Sequence, residues 1–138
     1  MKIEPIEIMR YLVNKWGLRE IIAAGLIGNI GQESGYDCEV VNHIGATGFF
    51  QELAERKDAL LEFIDGDLTN WKGQIDFAMK ELEDPFNGWD ELSQATTVEE
   101  ATEIFCRRFE RPNVHEANIP RRIFFAKEAM EKWLAERK

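Results

Sequence analysis

Residues 25–36 read Gly-Leu-Ile-Gly-Asn-Ile-Gly-Gln-Glu-Ser-Gly-Tyr, and this stretch decides the fold. It continues a segment, residues 20–30, that contains almost nothing but Ile, Ala, Leu and Gly. A helix that is apolar on every side lies inside a domain and contacts other elements on most of its faces. Gly35 suits the left-handed position that ends many helices. The stretch therefore predicts a buried central helix, over about residues 19–33, that ends on Glu33.

Glu33 is the main candidate for a catalytic side chain. A carboxyl group at the end of a buried helix loses contact with water and lies near the negative end of the helix dipole. Both effects favour its neutral form, and a protonated carboxyl near neutral pH is what general acid catalysis needs. A solvent-exposed or salt-bridged glutamate is the commoner alternative at a helix end. The local sequence therefore makes Glu33 a candidate catalytic residue but does not indicate which reaction it would catalyse.

The rest of the chain is also predicted to be mostly helical. Glycines at 25, 28 and 31 predict a close approach to the central helix, by another helix or by a ligand near Gly31 and Gly35. Residues 45–51 (GATGFFQ) predict a short strand or small β-hairpin. Together these patterns predict a mainly α fold in a single domain, 1–138, with about six helices, including the buried central one. The other helices fall at about 5–17, 53–66, 71–83, 97–112 and 120–138.

Composition excludes several classes of function. Seventeen Lys and Arg residues against 26 Asp and Glu give a net charge of −9, which repels nucleic acid. The longest apolar run, residues 21–28, has eight residues, whereas a membrane helix needs roughly 18 or more. The first residues carry acids and a proline where a signal peptide would be apolar. We therefore expect no nucleic-acid partner, no membrane partner and synthesis in the cytoplasm.

The sequence also gives no sign of a metal or cofactor site. Cys38 and Cys106 are 68 positions apart and are predicted to be free thiols. His43 and His115 are isolated from other ligand types. A zinc-protease histidine pair, a nucleophile elbow, a phosphate loop and a dinucleotide fingerprint are all absent. The remaining kind of site is one in which carboxyl groups act without a cofactor.

Several segments, in the same order, resemble the phage tail lysozyme family, with a more distant similarity to soluble lytic transglycosylases and goose-type lysozymes. The similarity begins with residues 28–36 (GNIGQESGY) and 48–51 (GFFQ). It continues through residues 56–63 (RKDALLEF), the segment around Trp71, and residues 109–112 (FERP). The resemblance spans nearly the whole chain and implies an α+β lysozyme-like fold.

The resemblance also implies a function. It implies cleavage of the β-1,4 bond between N-acetylmuramic acid and N-acetylglucosamine in bacterial peptidoglycan, by a muramidase or a lytic transglycosylase. The residue at the Glu33 position is the general acid in that family, and those at the Ser34 and Gln51 positions line the cleft. We place Tyr36, Gly48 and Phe50, from the same motifs, with them as substrate-binding residues.

One position departs from the family pattern. Where the family usually has tryptophan after the cleft glutamine, this chain has Glu52, and residues 53–55 differ as well. Glu52 is therefore a candidate second carboxylate opposite Glu33, against the alternative of an ordinary glutamate in the first turn of a helix. Asp37 and Glu39 are weaker candidates. A second carboxylate would decide whether water or the muramic 6-hydroxyl attacks the sugar.

Two biological settings agree with this interpretation. The protein could act on the wall as a phage tail component or as an endolysin, with other tail or lysis proteins as candidate partners. A catalytically weakened wall-binding or structural domain of a phage tail is the alternative function. Binding to cell walls without release of soluble muropeptides would distinguish that alternative from an enzyme.

Overall fold

A computed structural model of the chain describes residues 1–137 and shows a mainly helical protein. The first helix continues directly into a π-helical turn, and so does the sixth. A short 3₁₀ turn and a four-residue helix follow the fourth helix. The elements are α1 (Pro5–Arg10) with its π turn (Tyr11–Lys15), α2 (Glu20–Ser34), α3 (Ala54–Phe63), α4 (Trp71–Glu81), a 3₁₀ turn (Pro85–Asn87), α5 (Trp89–Leu92), α6 (Val98–Phe105) with its π turn (Cys106–Glu110), α7 (Val114–Ala117) and α8 (Ile119–Glu136).

Helix α2 is the buried centre of the fold, as the sequence predicted. Every residue from 22 to 31 is buried, and α2 packs mainly against α6 and α8. Its glycines permit these contacts: a Cβ on Gly28 would lie 2.3 Å from the Arg122 carbonyl oxygen, and one on Gly25 would lie 2.9 Å from the Thr102 amide nitrogen. At Gly31 the space is filled by Tyr36 and Phe125. At these three positions the glycines therefore serve contacts within the protein.

The predicted strand or small β-hairpin near residues 45–51 is wrong. Within residues 1–137 the structure has isolated β-bridges but no sheet, and two of these bridges join Thr47 to Val41 and to Glu52. Gly45, Gly48 and Gln51 all have positive φ values, of 88°, 78° and 53°, so the backbone between them turns repeatedly. Extended strands need consecutive negative φ values. The segment is therefore a compact loop that packs against the helices.

Local capping signals explain where α6 begins and why α7 exists. The Thr97 side chain accepts a hydrogen bond from the Glu100 amide, which confirms the predicted start of α6. Helix α7 lies between the predicted helices at 97–112 and 120–138, and it begins where the Asn113 side chain accepts from the Glu116 amide. Both cysteines are free, as predicted. No helix in the described part of the chain combines the length and apolar character needed to cross a membrane.

Candidate active site

Glu33 lies in the last turn of α2. The helix ends at Ser34, and Gly35 takes the left-handed conformation with φ of 59°. The Gly35 amide donates to the Gly31 carbonyl at 2.9 Å, which satisfies one of the free carbonyls of the final turn. The Glu33 side chain is 20% exposed. The carboxyl group is therefore partly shielded from water and still open to the surface.

Arg122 lies behind Glu33 and is fully buried. Its Nη2 is 3.5 Å from Glu33 Oε2, and its Nη1 donates to Asn29 Oδ1 at 2.9 Å. The remaining guanidinium hydrogen bonds go to the carbonyls of Glu116 and Ala117. A cation beside a carboxyl favours the ionised form. Arg122 thus places a buried positive charge next to the Glu33 carboxyl.

A cleft of about 600 Å³ opens in front of Glu33. It lies between the end of α2, the loop that follows α2, and the segment from the end of the second π turn to α7. A groove of about 660 Å³ lies elsewhere, but its charged residues are surface pairs such as Arg108 and Glu91, 3.1 Å apart. The lining of the cleft is Gln32, Glu33, Asn42, Ile44, Ala46, Gln51, Leu53, Glu110, Arg111, Pro112, Asn113, His115 and Glu116.

Glu110 is a second carboxyl group in this cleft. It is the last residue of the π turn after α6, and its Oε2 is buried without a hydrogen-bond partner. Burial raises its pKa well above the usual range, and the nearby Glu33 and Glu52 carboxylates act in the same direction, while Arg122 opposes them. The Glu33 carboxyl is within hydrogen-bond reach of Glu110. Glu110 is therefore set to retain a proton.

Glu52 lies behind the cleft wall rather than in the lining. It is 4% exposed, and its Oε1 is 3.3 Å from Nη2 of Arg56. Burial raises the pKa of Glu52 to about 8, and the Glu81 carboxylate adds to this effect, whereas Arg56 lowers it. Arg56 also donates to Glu81 Oε2 at 2.8 Å. Glu52 thus belongs to a buried group with Arg56 and Glu81, and its role as a second carboxylate stays a prediction.

Gln51 is the predicted binding residue that lies in the cleft with Glu33. Its Nε2 donates to the carbonyls of Gly48, at 2.9 Å, and Val40, at 3.3 Å. These bonds fix the amide in the loop that forms one wall. Ser34 is not in the lining, and its hydroxyl donates back to the Ile30 carbonyl at 2.9 Å.

The other predicted binding residues, Tyr36, Gly48 and Phe50, are not in the cleft lining. The Tyr36 ring packs edge-on against Phe125, with 5.8 Å between ring centroids. The Phe50 ring is 5% exposed and packs against Phe105 and Phe109. Gly48 has φ of 78°, and a Cβ there would lie 2.4 Å from the side-chain oxygen of Gln74. Direct contact of these residues and Ser34 with substrate stays a prediction.

The weaker acidic candidates lie elsewhere. Asp37 and Glu39 hold the amino group of Met1 at 2.8 and 2.9 Å, and neither lines the cleft. In residues 1–137 no group of three or more His, Cys, Asp or Glu side chains is arranged to hold a metal ion.

Sequence reasoning missed Glu110 and Arg122 as site residues. Glu110 lies in residues 109–112, one of the segments that carry the family resemblance, so that resemblance was the available signal for it. For Arg122 the signal is its spacing, since it precedes the buried Ala126 by four residues, one helical turn. A charged residue on the buried face of a helix is a sign of a paired or functional group.

Comparison with known proteins identifies the family. A family model described as phage tail lysozyme matches residues 5–133 of the 138-residue chain. The matched range contains the whole cleft lining, including Glu33, Gln51 and Glu110. Comparisons with curated proteins and with solved structures gave no match. The chain belongs to the phage tail lysozyme family, and its general role is lysozyme-like degradation of the peptidoglycan of bacterial cell walls.

Proposed function

We propose that the protein cleaves the β-1,4 bond between N-acetylmuramic acid and N-acetylglucosamine, with Glu33 as the general acid. The observation that carries this proposal is the position of Glu33, a partly shielded carboxyl at the end of the buried helix and in the wall of the cleft. The cleft is lined mainly by polar and charged side chains, which suits a hydroxyl-rich and amide-rich glycan. Family membership supports the same reaction class.

The first step is proton transfer. The O–H bond of Glu33 breaks as a new O–H bond forms on the glycosidic oxygen, and the C–O bond electrons move to that oxygen as the sugar leaves. Positive charge develops on the remaining ring in an oxocarbenium-like transition state. The Glu33 carboxylate left behind is held by Arg122, whose Nη2 is 3.5 Å from Glu33 Oε2.

The second step needs a nucleophile. A carboxylate roughly 6.5–9.5 Å from the acid would position water, and one near 5 Å would attack the sugar itself. Glu52 is outside the cleft lining, and Glu110 is close enough to hydrogen-bond Glu33, which is nearer than either of these separations. Glu116, the third glutamate of the lining, is exposed to solvent. We therefore expect Glu33 to act first as acid and then as base. The attacking group is water in a muramidase and the muramic 6-hydroxyl in a lytic transglycosylase.

Substrate binding is proposed to use the loop wall of the cleft. The Gln51 amide is held by two backbone carbonyls and faces the same space as Glu33, so it can hydrogen-bond an acetamido group. Ser34, Tyr36, Gly48 and Phe50 would keep this wall in place. The single domain, 1–138, would reach the wall as a phage tail component or as an endolysin, with tail or lysis proteins as partners.

The experiment is digestion of purified peptidoglycan, followed by mass spectrometry of the soluble products. Products with reducing muramic ends would identify a hydrolase, and 1,6-anhydro ends would identify a transglycosylase. Absence of soluble muropeptides would contradict the proposal. If the protein also sedimented with the wall material, that result would favour the wall-binding alternative.

A further inference from the structure

We propose that Glu110 is a positioning residue for this reaction: it shares one proton with Glu33 and so keeps a transferable proton at the cleft near neutral pH. The inference rests on the proposed role of Glu33 as the acid. It concerns the supply of the proton, because nothing in the reaction above explains why a carboxyl beside Arg122 would be protonated.

The arrangement of the two carboxyls is the first observation. Glu33 comes from the end of α2 and Glu110 from the end of the π turn after α6, and both line the same cleft. Glu110 Oε2 is buried and has no donor among the side chains and backbone groups around it. Two ionised carboxylates cannot hydrogen-bond each other, because both only accept. A single proton between Glu33 and Glu110 gives the buried oxygen the partner it lacks.

The surrounding charges are the second observation. A buried acid is neutralised by an arginine or by a proton, and none of the hydrogen bonds of Arg122 or Arg56 goes to Glu110. Arg122 donates to Asn29 and to two backbone carbonyls, and Arg56 donates to Glu81 and to the Phe109 carbonyl. Desolvation and the neighbouring carboxylates outweigh the arginines at Glu110. The groups that face Glu110 are Glu33 from α2, Glu52 from the loop, Arg56 from α3, the adjacent Arg111, and Arg122 from α8.

The pair can therefore serve both steps of the reaction. With one proton shared, ionisation of the second carboxyl would place two negative charges side by side in a poorly solvated wall. The pair thus keeps its proton to higher pH than an isolated carboxyl would. When Glu33 gives this proton to the glycosidic oxygen, repulsion from Glu110 makes Glu33 a better base. Glu33 is then ready to take the proton of the attacking hydroxyl or water.

The test is the pH dependence of kcat/KM for peptidoglycan cleavage by wild type, Glu110→Gln and Glu110→Asp. The amide that Glu110→Gln introduces would donate to Glu33 and carry no charge, so it favours the ionised form of Glu33. We expect the alkaline limb of the Glu110→Gln profile to move to lower pH by about one pH unit or more. Glu110→Asp keeps a titrating carboxyl and should return the limb towards its wild-type position. Identical alkaline limbs in all three proteins would overturn the proposal, whatever the loss of maximal rate.

Glu103→Gln is the matched control. Glu103 lies on α6, seven residues before Glu110, and its side chain is 54% exposed. The same chemical change there removes an acid from the surface without touching the cleft. Its profile should overlay that of wild type. Circular dichroism of each variant shows whether the helical fold is retained.

A second measurement does not depend on activity. Carboxyl ¹³C NMR of protein labelled at glutamate should show the Glu33 and Glu110 signals changing together with pH, in two separated steps. In Glu110→Gln the remaining Glu33 signal should titrate in one step. Independent, single-step titration of both residues in the wild type would overturn the shared proton. An inactive protein that still shows coupled titration would refute the proposed glycosidase activity but leave the pair in place.

Discussion

Replacement of Glu52 by glutamine should make the protein more stable at neutral and alkaline pH. Glu52 is 4% exposed, and its Oε2 is buried without a partner. Burial, assisted by the Glu81 carboxylate, raises its pKa from 4.5 to about 8. Between these two pH values the folded protein holds a proton that the unfolded chain has released. The free energy of unfolding therefore falls as pH rises through this range.

The magnitude follows from proton linkage. One extra proton bound by the folded state lowers the free energy of unfolding by up to about 1.4 kcal/mol per pH unit. Glutamine is neutral at every pH, and its amide can still accept from Arg56 and donate to Glu81. The stability of Glu52→Gln relative to wild type should therefore increase by about 2 to 3 kcal/mol between pH 5.5 and 7.5. Glu110 also makes the free energy of unfolding fall as pH rises, and this contribution should remain in the Glu52→Gln variant.

The assay is urea unfolding followed by circular dichroism at pH 5.5, 6.5 and 7.5. Glu62→Gln is the control, because Glu62 is an exposed residue of α3, the helix that also carries Arg56. The free energy of unfolding of Glu62→Gln should change with pH in parallel with that of the wild type. If Glu52→Gln also ran parallel to wild type, the carboxyl of Glu52 would not be the protonated buried group that we describe.

Three further predictions concern packing, the buried arginine and the charge of the protein. Gly28→Ala should lower the free energy of unfolding by about 1 to 3 kcal/mol, since its Cβ would overlap the Arg122 carbonyl; an unchanged urea midpoint would contradict this contact. Arg122→Ala should lower the free energy of unfolding by about 3 to 5 kcal/mol, because it leaves Glu33 and Asn29 unpaired. Arg121→Ala, at an exposed position, should lower it far less. Equal losses of stability in urea unfolding would refute the buried network. With a net charge of −9, wall digestion should improve with moderate salt or divalent cations, and a steady decline in turbidimetric rate from the lowest salt upward would show that charge repulsion does not limit activity.

The sequence predicted the central helix because its signals are local. An uninterrupted apolar segment and a glycine suited to the left-handed region are enough to place α2 and its end at Gly35. The caps at Thr97 and Asn113 are equally local, although the second begins a helix of only four residues. Elements of this kind need no knowledge of the tertiary contacts.

The loop between α2 and α3 could not be predicted in the same way. The Asn42 side chain accepts from the amides of Ile44 and Ala46, and Gln74 from α4 accepts from the Phe49 amide. These side chains take the backbone hydrogen bonds that a hairpin would have used. Phe49 is of a residue type that is common in strands. It nevertheless lies in a turn, because Gln74, from a helix distant in the sequence, accepts the hydrogen bond of its amide.

The residues of the candidate site divide in the same way, into those that local sequence predicts and those that depend on tertiary contacts. Glu33 could be selected from its own helix, and Gln51 from its position in a motif. Glu110 and Arg122 reach Glu33 only because α6 and α8 pack against α2, which requires the close helix contacts at Gly25 and Gly28. The sequence offered Glu52 as a candidate second acid because it stands where the family usually has tryptophan after the cleft glutamine. The fold instead brings Glu110, 77 positions after Glu33 in the printed sequence, to the cleft.

The central claim is that Glu33 supplies the proton that breaks the glycosidic bond. The most direct test compares the initial rate of soluble muropeptide release by wild type, Glu33→Gln and Glu62→Gln at the pH of maximal activity. Loss of a general acid typically costs about 10²- to 10⁴-fold in rate. We predict a loss of this size for Glu33→Gln and none for Glu62→Gln. A Glu33→Gln variant that released muropeptides at the wild-type rate would contradict the account.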